Sequence, residues 1–245
     1  MGNFRAWMTG TNGRVFGAFV IAAALHLIGT FAIPGYSSPF AIRAMLVIAA
    51  LLAVAATPAA AISATSEATE ATAPIGSGGS SSLAAPAGAQ LYGDGWNFIL
   101  VCLVVAVMAA LIGAFNGYIS RKLDIHPLIV TLGVGMVVQG SVLLWTAGFP
   151  SGSVPEAVSA FVSIGGSAGP LPLPWLVPSL AVLAALIILV LARSTYGRKL
   201  YALGSNPGAA PLALIDPVRI WVITFALSAV FAAVAGVLLL GFTGS

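Results

Sequence analysis

Six polar side chains interrupt the long apolar runs of this chain: His26, Asn116, Thr131, Gln139, Thr224 and Ser228. A polar group in hydrocarbon is expensive, so each marks either a helix–helix hydrogen bond or a path for something polar. None is an acid or base with a paired partner at helical spacing, which argues against a proton relay and against hydrolysis within the membrane. No carboxylate lies inside an apolar run, so an ion-coupled carrier would have to use the carbonyls of broken helices instead. Asn116, Thr131 and Gln139 are candidates for lining a translocation path, because amides and hydroxyls can exchange hydrogen bonds with a solute's hydroxyls without fixing a charge. Interhelical hydrogen bonding is the other reading of each. His26 has no ligand-spaced companion and reads as a bundle histidine rather than a metal ligand. No catalytic group and no metal site is expected.

A second group of residues lies between two apolar runs. The stretch from Arg193 to Arg219 holds Arg193, Arg198, Lys199 and Arg219 against the single acid Asp216, four of the chain's nine cations. The positive-inside tendency places such a loop in the cytoplasm. Gly204-Ser205-Asn206-Pro207 is a turn signal, and the Ala-rich stretch from Gly208 to Leu214 is suited to a short helix along the membrane face. These features together suit a docking element.

The elements that must position these residues are set by composition. Hydrophobic residues make up 60% of the 245 and charged ones only 6%, against about a quarter charged in soluble domains. The chain is an integral membrane protein, expected to be an all-α polytopic bundle of six to seven spans forming one domain over residues 1–245. Its net charge of +3 is scattered over loop ends and reads as topology signal rather than nucleic-acid binding. Cys102 lies alone inside an apolar run, which excludes an intrachain disulfide. Neither a phosphate-binding P-loop nor a glycine-rich nucleotide fingerprint is present, so any ATP is expected on another chain and no cofactor on this one.

Five runs can cross about 30 Å of hydrocarbon as helices: Val15 to Ile33, Phe98 to Ile119, Leu128 to Phe149, Leu171 to Ala192 and Ile220 to Phe242. A sixth, Ala44 to Ala61, is shorter. Arg5 and Arg14 precede the first run, which exceeds the 7 to 15 residues of a signal peptide's apolar core, so a retained anchor is expected. The segment 62–90 is low-complexity, carries Glu67 and Glu70, and reads as a flexible polar loop. Charge bias conflicts with that reading. With Arg5 and Arg14 inside, six crossings strand Arg121, Lys122 and the Arg193 to Arg219 loop outside, whereas one more crossing before Arg121 brings both inside and leaves Glu156 outside. That crossing should fall near 62–90; an N-terminus placed outside is the alternative. Gly113-Ala114-Phe115-Asn116-Gly117 is a GxxxG pattern, expected to serve ordinary close helix packing.

An ordered series of motifs carries a resemblance. Gly113 to Gly117, His126-Pro127-Leu128-Ile129-Val130-Thr131-Leu132-Gly133, Tyr196-Gly197-Arg198, Ala202-Leu203-Gly204-Ser205-Asn206 and Ala209-Ala210 resemble the ribose-type sugar permeases of bacterial ATP-binding-cassette importers, from about Gln90 to Ser245. The resemblance implies an inner-membrane permease subunit that moves a monosaccharide by alternating access. The implied partners are an ATPase subunit, a periplasmic sugar-binding protein and a second permease copy. It places Gly204, Asn206, Ala209 and Ala210 in the loop that docks into the ATPase. Members of that family continue beyond Ser245 and differ from this chain over 62–90, so a C-terminally truncated member is expected. Asp216-Pro217 is a further departure from the family pattern. Alternatives are an amino-acid-type permease of the same superfamily, an ATP-independent carrier or channel, and a nonfunctional permease fragment.

Overall fold

Hydrocarbon offers the backbone no hydrogen-bond partner, so long uncharged apolar runs close their bonds internally as helices. In the computed structural model, which describes residues 11–32, 36–63, 78–147, 154–163, 175–206 and 209–243, every regular element is helical. The all-α expectation holds. The chain divides into two compact units after Leu46.

The first unit contains α1 (Thr11–Ala32) and the opening of α2 (Pro39–Ser63). Ser38 starts α2, its Oγ accepting the Ala41 amide at 3.2 Å. Gly29 lies against the Tyr36 ring so closely that a Cβ would come within 2.6 Å of it. His26 is exposed, with its ring 5.4 Å from that of Tyr36.

The second unit holds α2 from Val47 onward, α3 (Gly78–Gly93), α4 (Phe98–Lys122), α5 (Pro127–Trp145), α6 (Glu156–Val162), α7 (Leu176–Arg193), α8 (Thr195–Ser205), a 3₁₀ turn (Ala210–Ala213) and α9 (Pro217–Thr243). Helices α4, α5 and α9 are long and apolar enough to cross a membrane. Asn97 begins α4 by accepting the Ile99 amide at 3.1 Å, and Arg121 and Lys122 close it where cations suit the helix dipole. His126 Nδ1 accepts the Leu128 amide and Pro127 fills the first position of α5.

Helix α9 is the central element, packed on α3, α4, α6 and α8. Its approach to α4 depends on the two glycines of the GxxxG pattern. A Cβ on Gly113 would stand 2.3 Å from the Phe225 carbonyl oxygen, and one on Gly117 would stand 2.9 Å from that of Trp221. Gly113 therefore faces later residues of α9 and Gly117 earlier ones, so the helices are antiparallel. The end of α4 at Arg121 and Lys122 thus lies beside the start of α9, at the same end as the basic segment. Glu156 lies at the other end, because Val158 of α6 packs on Gly241. This relative placement of the three charged groups is common to either count of crossings.

The reading of 62–90 as a flexible loop is corrected where it is described. Helix α2 runs to Ser63, residues 64–77 lie outside the described residues, and α3 covers 78–90. Leu83, Ala84, Ala87 and Ala89 are buried, and α3 packs on α4, α5 and α9. Small side chains that give a segment no core in water let it approach neighbouring helices closely in a bundle. Leu83 packs with Ile112 and Val142, while the Tyr92 ring meets Phe98 edge-on. Helix α3 therefore runs along α4 from about the level of Ile112 to that of Phe98. Its 16 residues span about 24 Å, less than the hydrocarbon thickness.

A candidate coupling elbow and its polar layer

Ser194 ends the apolar run of α7 in an extended conformation, and its Oγ accepts the Gly197 amide at 2.9 Å to start α8. Helix α8 buries Gly197, Leu200, Leu203 and Gly204 and exposes Arg198, Lys199, Tyr201 and Ser205. Helix α8 thus stands where a loop was expected. Its missed signal was Tyr196, Leu200 and Leu203 at helical spacing behind a serine cap. The Arg198 guanidinium folds back to the Arg193 carbonyl at 3.2 Å and Thr195 Oγ1 at 3.3 Å.

Asn206 terminates α8 with its amide on the Ala202 carbonyl, and its Oδ1 accepts the Ala209 amide at 3.1 Å. The 3₁₀ turn follows, within the Ala-rich stretch in which a short helix was expected. Leu214 adopts a left-handed conformation with φ of 57°. Asp216 then caps α9, accepting the Val218 amide at 3.0 Å, and pairs with Arg219 at 3.2 Å. Asp216-Pro217 is thus a cap followed by proline at the first helical position, a sound helix start.

The elbow closes on a core of Leu200, Leu203, Ala210, Ile220, Trp221 and Phe225, with Tyr196 and Ile215 packed against it. Ala210 belongs to this core and Gly204 is buried, while Asn206 and Ala209 are exposed. Two residues that sequence reasoning passed over form the tip: Leu212 and Leu214 are 88% and 95% exposed. With exposed Arg198, Lys199 and Arg219 in the same segment, this apolar tip can contact a protein surface that is apolar at its centre and acidic at its rim.

Tyr196 joins the elbow to the span. Thr224 Oγ1 donates to the Ile220 carbonyl at 2.7 Å, which leaves the Tyr196 hydroxyl as the donor in the bond between the two side chains. Burial pushes the Tyr196 phenol above its ordinary value, and the bond to Thr224 offsets part of that. By the antiparallel register, Asn116 stands at the level of Thr224. Asn116 and Thr131 are buried at this end of the bundle, whereas Gln139 is exposed two turns further along α5. Thr131 Oγ1 donates to the Leu128 carbonyl at 3.2 Å. Asn116 Oδ1 and Ser120 Oγ, one turn apart on α4, find no hydrogen-bond partner among the described residues. Ser120 is a polar group that the sequence reading did not single out.

A cavity of about 360 Å³ lies at the opposite end, between α4, α6 and α9, lined by Phe98, Cys102, Phe161 and Val237 among others. Its apolar walls offer a hydroxylated solute nothing.

The chain is 30% identical over 157 residues to the autoinducer 2 import system permease protein LsrD of Klebsiella pneumoniae, covering 62% of this chain and 46% of that protein. It is also 30% identical over 151 residues to LsrC of Escherichia coli K12, covering 60% and 42%, and 34% identical over 130 residues to LsrC of Klebsiella pneumoniae, covering 53% and 37%. The matched segment spans less than half the length of these relatives. No solved structure matches the chain. The family model described as branched-chain amino acid transport system / permease component matches residues 12–245. With its helical bundle and basic elbow at one end, the chain is a multi-pass inner-membrane protein that belongs to this permease family.

Proposed function

We propose that the chain is the permease subunit of an ATP-binding-cassette importer that moves a monosaccharide-like solute inward by alternating access. ATP is hydrolysed on a partner ATPase, and a periplasmic binding protein delivers the solute to this chain and a second permease copy. The chain itself carries no enzymatic step. The elbow is the observation that carries this reading: an exposed apolar tip in a basic segment, keyed through a buried core into the start of a spanning helix. Such an element can convert closure of a partner into movement of α9.

The family description names amino acids, whereas the curated relatives named above import autoinducer 2. The absence of charged residues from positions 98–120, 127–145 and 220–243 favours an uncharged solute, because a zwitterion leaving water needs compensating charge. Buried Asn116 and Ser120, together with Gln90 toward the other end of the bundle, have free acceptor capacity suited to hydroxyls.

Co-purification with the genomically adjacent ATPase, followed by uptake of radiolabelled D-ribose with L-leucine as competitor, tests the reading. ATPase binding that disappears when residues 206–210 are deleted, and ATP-dependent uptake insensitive to leucine, are expected. Uptake that persists without the ATPase would establish an independent carrier instead.

A further inference from the structure

The elbow and the spans are connected by a continuous set of contacts. Tyr196 sits in the first turn of α8, 28 residues from Thr224, and its hydroxyl donates to the threonine from within the core of Leu200, Leu203, Ile220 and Phe225. Thr224 is itself tied to its own helix through the Ile220 carbonyl. The Trp221 and Phe225 rings stack at 5.6 Å, and the backbone of these residues lies on Gly117 and Gly113 of α4. Apolar packing fixes the distance between α8 and α9 but resists sliding weakly. A directional bond between an aromatic ring in one helix and a helix-anchored hydroxyl in the other fixes their register. The adjacent Gly197 is buried, and its amide is held by Ser194, so the tyrosine's backbone is also held.

We infer that Tyr196 is a positioning residue whose hydrogen bond to Thr224 locks α8 to α9, so that a push on the elbow moves the span instead of being absorbed at the α8–α9 joint. The inference rests on the importer reading above. It predicts that breaking the bond spares partner docking, because the exposed tip at Leu212 and Leu214 is untouched, and reduces transport obtained per ATP.

The test uses the full chain in complex with its ATPase in proteoliposomes, with Tyr196→Phe, Thr224→Val, the double variant and the conservative Thr224→Ser. Radiolabelled D-ribose uptake and ATP hydrolysis are measured together. Hydrogen exchange of the α8 amides is measured on the isolated chain in detergent. For Tyr196→Phe and Thr224→Val we expect retained ATPase binding, faster exchange confined to α8 and the first turns of α9, and uptake per ATP lowered about fivefold, the scale of one buried hydrogen bond. The double variant should be no worse than either single one, and Thr224→Ser should match the unaltered protein. Unchanged uptake per ATP in Tyr196→Phe overturns the inference, as does a parallel loss of uptake and hydrolysis without altered α8 exchange. An unaltered complex that binds the ATPase yet shows no ATP-driven uptake overturns the importer reading, and the coupling role with it. Faster exchange in Tyr196→Phe would then still establish the bond as a joint between α8 and α9.

Discussion

Gly113 and Gly117 show how much a single missing atom decides in this bundle. Each faces backbone of α9 rather than the end of a flexible side chain, so neither contact can give way by a rotamer change. Gly113→Ala should force α4 and α9 apart and cost about 1–3 kcal/mol. Gly117→Ala, whose Cβ would meet the Trp221 carbonyl oxygen at 2.9 Å rather than 2.3 Å, should cost less. Thermal unfolding of the two variants in detergent should rank them in that order, and equal melting temperatures would refute the close α4–α9 packing. Asn116 sits between these glycines in sequence, held in a buried position by the packing they permit. Its free Oδ1 is the kind of group that a bundle seldom leaves without use.

At the scale of the element, the turn between the 3₁₀ segment and α9 contains a conflict with a readable meaning. Leu214 is left-handed and 95% exposed, so it has an unfavourable backbone without burial to offset it. Leu214→Gly should relieve about 1 kcal/mol of backbone strain and protect neighbouring amides from exchange, while weakening ATPase binding by removing half of the apolar tip. Binding as tight as that of the unaltered chain would remove the tip from the docking surface. Helix α8 has only 11 residues and depends on its start. Ser194→Ala should therefore destabilise it by about 1 kcal/mol, seen as faster exchange in α8 with α5 unaffected.

For the whole molecule, the antiparallel pairing of α4 with α9 makes a topological prediction. Arg121, Lys122 and the elbow share one end, and Glu156 lies at the other. In a Cys102→Ala background, Ser205→Cys should react with a membrane-impermeant maleimide only after the cytoplasmic face is opened, and Glu156→Cys should react in intact spheroplasts. Labelling of both from one side would contradict the fold. The cavity at the Glu156 end is walled almost wholly by apolar side chains, whereas Asn116 and Ser120 are buried toward the elbow end.

Much of this protein could be read from the chain alone. Uncharged apolar runs can satisfy their backbone in lipid only as helices, so the all-α class and the helices within the runs read from Phe98, Leu128, Leu171 and Ile220 follow from composition, and the positive charge of the basic loop leads to the expectation that it faces the cytoplasm. The ordered motifs from Gly113 to Ala210 pointed to the permease family that residues 12–245 match. What composition misled about was α3, whose Gly, Ser and Ala residues read as linker because their packing value exists only when apolar neighbours surround them. Tertiary structure alone decided which polar residues are sequestered. Asn116, Thr131 and Gln139 look equivalent in sequence, yet two are buried and one is exposed, because helical periodicity does not say which face a neighbour will cover. The same reason hid the Tyr196–Thr224 bond: its partners are far apart in sequence, and they meet only because α8 folds back onto the start of α9.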